Sequence, residues 1–147
     1  MFDNTRTFSL VNNVTRINLV DPSELHDQHL VAEYREIFMV GSSLQRSLVS
    51  PTWKNKKLPP QFTLNKGHVS FFYDKGLYLY NRYLALCNEM RARGMNPDPA
   101  RVFKVEQWPD DLFNDWVPSE ADRNVVRDRI AIRIAKKPDW YRKTAPI

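Results

Sequence analysis

The chain has 147 residues, 22 Lys and Arg against 17 Asp and Glu, and a formal net charge of +5. Its single cysteine, Cys87, excludes an intramolecular disulfide and any cysteine-based zinc site, and no apolar run approaches the roughly 18 residues of a membrane span. One domain's length, 12% aromatics and 10 prolines against 4 glycines describe a globular, basic protein that folds without staples and suits an anionic partner.

The first start signal is Asp21-Pro22-Ser23-Glu24. Asp21 suits an N-cap, Pro22 the first helical position, and Glu24 can close a capping box. A helix is predicted from Leu25 to about Arg46, with an apolar arc of Leu30, Val31, Tyr34, Ile37 and Phe38. Between Ser50 and Lys66, Pro51, Pro59 and Pro60 deny regular helix, and Lys54, Lys56, Lys57 and Lys66 make a basic loop. Phe71-Phe72-Tyr73 leads into a second helix from Gly76 to Arg93, with Gly94 placed for a left-handed cap. Met95 to Pro118 is broken by prolines and locally acidic. A third helix is predicted from Ser119, as N-cap, to Lys136, closed by Pro138. No period-2 run qualifies as a strand, so the fold class is all-α: one compact domain of three main helices with long irregular connections.

Two groupings carry chemistry. On the third helix Arg129, Arg133 and Lys136 fall at i, i+4 and i+7, a ridge that reads either as a solvated face or as a track for phosphates. Trp140-Tyr141 beside Arg142-Lys143 adds stacking surface next to charge, or an aromatic cap on the core. On the first helix Leu25, His29, Ala32 and Glu36 project within about 60° of one another, flanked by Gln28 and Arg35. That face is either exposed and polar or an acid–base pair. His29 and Glu36 stand seven residues apart with no third ligand, so no metal site is expected.

Longer motifs are more specific. Thr15-Arg16-Ile17-Asn18-Leu19-Val20, Ser23-Glu24-Leu25, Asp27-Gln28-His29-Leu30 and Ala32-Glu33-Tyr34-Arg35-Glu36 closely resemble the pyrimidine-dimer DNA glycosylases of the T-even phages, the endonuclease V family. The resemblance resumes at Gly67-His68-Val69, Phe71-Phe72-Tyr73-Asp74-Lys75, Arg93-Gly94, Pro138 and Trp140-Tyr141. It implies a compact all-α enzyme that flips a nucleotide from ultraviolet-damaged duplex DNA. Such an enzyme cuts the glycosidic bond on the 5′ side of a cyclobutane pyrimidine dimer and breaks the strand by β-elimination. The implied nucleophile is the α-amino group of Thr15, with Glu36 as the essential carboxylate and Arg35 as the neighbouring essential arginine. The implied contacts to DNA and substrate are Arg16, Gln28, His29, Arg129, Arg133, Trp140 and Tyr141. No cofactor is implied; the expected partner is double-stranded DNA containing pyrimidine dimers, bound by a monomer in the cytoplasm of a bacterial or phage-infected cell.

Three departures stand out. Thr15 has residues 1–14 before it, and an acylated nitrogen is not a nucleophile. Val14 occupies the place of the family's initiator methionine, and valine's codons include the alternative start GUG. The active chain is therefore expected to begin at Thr15, with residues 1–14 as an extension absent from the mature domain of 15–147. If the extension is retained, the expected protein is a damaged-DNA binder without lyase activity. Met39 stands where the family carries an arginine, and Arg142-Lys143-Thr144-Ala145 replaces a tyrosine-rich tail, so a glycosylase for a different modified base is the other alternative.

Overall fold

Residues 16–147, the part of the chain described by the computed structural model, begin with an extended segment driven straight into the interior. Ile17, Asn18, Leu19 and Val20 are all buried. Val20 N–H donates to the Asn18 carbonyl at 2.5 Å, closing a tight turn on Leu19, whose φ of 61° is left-handed. A leucine there stores about 1–2 kcal/mol of strain, so neighbours must hold the turn in place. They do: Asn18 Nδ2 donates to Glu33, and the Arg82 guanidinium to the Val20 carbonyl.

The start signal at Asp21 is real but short. Asp21 accepts from Ser23 N at 2.9 Å and caps only a 3-10 turn, Pro22–Glu24, which Leu25 ends in an extended conformation. Helix α1 spans Asp27–Glu36 with His26 as N-cap. Glu24 does not close a capping box: both its oxygens take Arg127, each at 2.9 Å, tying this turn to the last helix. Leu25 leaves the predicted polar stripe for the core, because it lies before the helix and follows no helical phase.

The single helix predicted to Arg46 is two. The ladder is interrupted at Ile37, whose φ of −59° and ψ of −29° stay helical, and α2 resumes over Phe38–Leu48. The Val40 N–H reaches only the Ile37 carbonyl, at 3.4 Å, an i→i−3 bond in place of the regular spacing.

The basic loop holds only a 3-10 turn, Trp53–Asn55. A four-residue helix α3, His68–Phe71, and a 3-10 turn, Phe72–Asp74, lead into α4, Gly76–Ala92. Gly94 takes the expected left-handed cap, φ 83°. Gly76 is required by packing: a Cβ there would lie 2.7 Å from the Trp108 ring and 2.8 Å from Phe113. Two further 3-10 turns, Val105–Gln107 and Asp110–Leu112, precede α5, Glu120–Lys136. Ser119 caps α5 by accepting from Asp122 N at 3.0 Å.

Among the described residues the fold is all helical, with no strand. α1 packs on α4, burying Leu30, Tyr34 and Ile37 with Leu79, Leu86 and Met90. Each fully buried apolar side chain contributes about 1.5–3 kcal/mol. Phe62, Phe71, Phe72, Tyr78 and Trp116 form an aromatic cluster behind α3. α5 enters the core through Val126, with Ile130 against it, and its other faces remain available for charge.

Candidate active site

Helices α1 and α5, the entry segment and the C-terminal tail meet around a cleft of about 270 Å³. Its walls are Arg16 and Asn18 from the entry segment, and Gln28, His29, Ala32, Glu33 and Glu36 from α1. Arg129 and Arg133 from α5 and Trp140 and Tyr141 from the tail complete it. Every described residue expected at the site is present except Arg35, which is exposed on α1 and does not line the cleft. Thr15 lies outside the described residues. A second cleft of about 420 Å³ continues along Arg129, Arg133, Lys136, Lys137, Trp140 and Tyr141. A separate cleft of about 340 Å³, between α2 and residues 98–107, contains none of the expected residues.

Helical spacing explains the α1 wall. His29, Ala32 and Glu36 share one side, and Ala32 leaves the space between its larger neighbours. Glu36 Oε1 accepts from the Arg16 backbone N–H at 3.2 Å. Burial, reinforced by nearby Glu33, pushes the Glu36 carboxyl up; the bond from Arg16 N–H and the charges of Arg129 and Arg16 oppose the rise. The carboxylate therefore sits partly desolvated in a field of cations, where its interactions with developing charge are strengthened.

The cations repel one another. Burial, then Arg133 and Arg16, push the Arg129 guanidinium down to about 10, and burial and Arg133 lower Arg16. These stay charged at neutral pH, so the cleft holds a concentration of positive charge suited to phosphate oxygens.

His29 stacks on Tyr141, ring centroids 4.9 Å apart and planes 10° from parallel, and Trp140 meets Tyr141 edge-on at 4.9 Å. Burial, then Arg129, His26 and Arg133, push His29 to about 4, so its imidazole is neutral at pH 7. Gln28, expected to contact substrate, uses both ends of its amide on the tail: Nε2 donates to the Trp140 carbonyl at 2.6 Å and Oε1 accepts from Arg142 N at 3.2 Å. The tail is fixed again where Asp27 accepts from Thr144 N at 3.1 Å and from Arg93 at 2.8 Å.

Sequence reasoning missed the layer beneath. Glu33 is fully buried; Arg82 donates from Nε to Oε2 at 2.7 Å and from Nη2 to Oε1 at 3.0 Å, and Asn18 Nδ2 donates to Oε1 at 3.0 Å. The signal was there: Glu33 stands next to Tyr34 on the apolar arc of one helix, and Arg82 lies between Leu79 and Leu86 on that of another. Opposite charges on two buried stripes predict a pair. His68 was also missed; it accepts from Ile17 N–H through Nε2 at 2.9 Å.

No group of three or more His, Cys, Asp or Glu side chains suited to a metal occurs among the described residues, nor is any helix there long and apolar enough to cross a membrane. Residues 14–102, more than half of the chain, match the family model for pyrimidine dimer DNA glycosylase. That stretch supplies the entry segment and all of α1, hence Glu36, His29, Gln28, Glu33 and Asn18 of the cleft. The chain belongs to the pyrimidine dimer DNA glycosylase family, and it is a DNA repair glycosylase whose substrate is DNA.

Proposed function

We propose that this protein is a bifunctional glycosylase and abasic-site lyase that removes the 5′ base of a cyclobutane pyrimidine dimer through an imine on the Thr15 α-amino group. The observation that carries this reading is the bond from Arg16 N–H to Glu36. Arg16 N is the nitrogen acylated by Thr15, so the carboxylate reaches the peptide group that adjoins the proposed nucleophile. The reading requires a chain that begins at Thr15, with residues 1–14 removed or untranslated.

An α-amino group has a pKa of about 7.7–8.0 against about 10.4 for lysine, so far more of it is neutral at pH 7. The amine attacks C1′ of the extruded nucleotide, and the C1′–N1 bond breaks with its electron pair going to the pyrimidine, which is then protonated. Glu36 stabilises the oxocarbenium-like charge that develops at C1′. Loss of the amine proton and opening of the C1′–O4′ bond give the imine. A base removes the C2′ proton, and the C3′–O3′ bond breaks, expelling the 3′ phosphate; water then hydrolyses the imine. Glu36 is the group within reach to move these protons. Arg16, Arg129 and Arg133 hold phosphates, His29 and Tyr141 wall the extruded nucleotide, and Arg35 meets DNA outside the cleft. Extrusion costs a few kcal/mol, and less at a distorted lesion, which favours the dimer.

The test is nicking of ultraviolet-irradiated supercoiled DNA by the chain begun at Thr15, with borohydride trapping of the covalent adduct. Nicking and an adduct mapped to the residue 15 nitrogen support the reading. Salt-sensitive duplex binding with neither nicking nor adduct overturns it, and so does equal activity from a chain shown by intact mass to retain residues 1–14.

A further inference from the structure

We infer that His68 is a positioning residue for the attacking amine: it fixes the Ile17 amide, so that the chain leading back to Thr15 runs past Glu36 in one conformation. This rests on the Thr15 reading above. The tautomer follows from the partners. The Thr63 carbonyl, 2.7 Å from Nδ1, can only accept, so Nδ1 carries the proton. Nε2 is then bare, and the Ile17 N–H donates to it at 2.9 Å. The ring cannot turn away. It is 2% exposed, with Phe62 and Phe72 edge-on at 5.4 Å on either contact.

Two successive amides are thus held by two different elements. Glu36 at the end of α1 takes Arg16 N–H, and His68 at the start of α3 takes Ile17 N–H. Peptide planarity turns these two bonds into a constraint on the residue before them. With both amide planes fixed, φ and ψ of Arg16 are set. A buried imidazole needs partners for both nitrogens, and here the second is supplied by the chain that carries the nucleophile. Misplacement of a reacting group by about 1 Å can cost ~10²-fold in rate.

The experiment uses the chain begun at Thr15 and an abasic-site duplex, where imine formation is read without base excision. Single-turnover borohydride trapping gives the rate, and a binding titration at fixed salt gives Kd. The expected result is trapping roughly 10–100-fold slower for His68→Leu with a much smaller change in Kd, because His68 itself is buried. His68→Gln, which keeps an acceptor for Ile17 N–H, recovers most of the rate. A folded His68→Leu that traps at the parental rate overturns the inference, as does His68→Gln trapping no faster than His68→Leu. Should His68→Leu fail to fold, hydrogen exchange of the parent's Ile17 amide decides: protection supports the anchor, and exchange at the rate of a free amide refutes it. A parent that forms no adduct at all refutes the Thr15 reading instead.

Discussion

Glu33 and Arg82 face one another inside the protein, joined by bonds of 2.7 and 3.0 Å, and the same carboxylate holds Asn18 at 3.0 Å. Both side chains are buried, and the pair lies directly beneath the cleft that contains Glu36. Burial raises the Glu36 pKa and Glu33, a like charge, adds to the rise, so one member of the buried pair also bears on the carboxyl group of the site. Burial and hydrogen bonding therefore join the stability of the fold to the electrostatics of the site.

The first prediction follows. Arg82→Met leaves Glu33 buried without its cation, and removing one partner of a buried pair costs about 3–5 kcal/mol. Urea denaturation is expected to show a loss of that size, with the Val20 turn loosened as well because Arg82 also donates to its carbonyl. The double variant Glu33→Leu with Arg82→Met is expected to recover part of the loss. Arg82→Met unfolding at the parental midpoint would contradict the pairing.

The second concerns charge at the cleft. Glu36→Gln keeps the shape and the acceptor for Arg16 N–H but removes the negative charge. Excision and strand cutting are expected to fall about 10²–10⁴-fold. Affinity for duplex DNA is expected to hold or rise, since Arg16, Arg129 and Arg133 lose their counter-charge. A plasmid-nicking assay beside a binding titration checks both, and nicking at the parental rate by the Gln variant would remove Glu36 from the chemistry.

Much of this was legible in the residues. The α4 and α5 spans, the Ser119 cap and the Gly94 turn follow from capping chemistry and helical phase, and the His29–Ala32–Glu36 stripe forms the α1 wall as its spacing requires. Two kinds of feature were not legible. The interruption at Ile37 lies in a stretch without proline, and periodicity continues through it. The partners of Gln28 and His68 lie 112 and 51 residues away along the chain, and no local pattern encodes such pairings. Arg35 is the converse case. It is adjacent to Glu36 in sequence, but the turn of the helix between them carries it onto the exposed side of α1, away from the wall.

Stability is expected to depend on pH through His68. Burial pushes its pKa to about 4, with Arg16 and Arg129 acting in the same direction and the Thr63 carbonyl against it. The unfolded chain titrates near 6.5, so between these values the unfolded state binds the extra proton. The stabilisation is complete above about 6.5, declines as pH falls, and is gone near 4. The loss is on the order of 3 kcal/mol. Urea midpoints from pH 7 to pH 4 should follow this course in the parent, and His68→Gln should flatten it. An unchanged slope in that variant would assign the effect to other groups, His29 first among them.

Arg129 and Arg133 should act on affinity through counterions. Each cation that meets a phosphate contributes about one unit to the slope of log K against log salt. Arg133→Ala is expected to lower that slope by about one and to weaken binding alike on damaged and undamaged duplexes. Both arginines line the cleft, but of the two only the Arg129 charge acts on the Glu36 carboxyl, so Arg129→Ala should reduce excision more than binding. Titrations across a salt series on both duplexes separate the two effects; an unchanged slope for Arg133→Ala would remove that residue from the phosphate track.

The tail is the last element whose function can be separated from its packing. The backbone around Trp140 and Tyr141 is pinned at the cleft, by Gln28 to Trp140 O and Arg142 N and by Asp27 to Arg142 O and Thr144 N. Gln28→Leu removes both of its bonds without touching a ring, and each net bond contributes about 0.5–1.5 kcal/mol. The stack of Tyr141 on His29 should then open, leaving Trp140, already 54% exposed, in a more aqueous setting. A red shift of fluorescence, read in a variant where Trp53, Trp108 and Trp116 are replaced by Phe, should report the release. Excision should weaken at subsaturating DNA and recover at saturation, because loosening the wall raises KM while Glu36 stays in place. An unshifted spectrum with unchanged kinetics would mean that ring packing and the Asp27 bonds hold the tail, and that the Gln28 amide bonds are incidental to it.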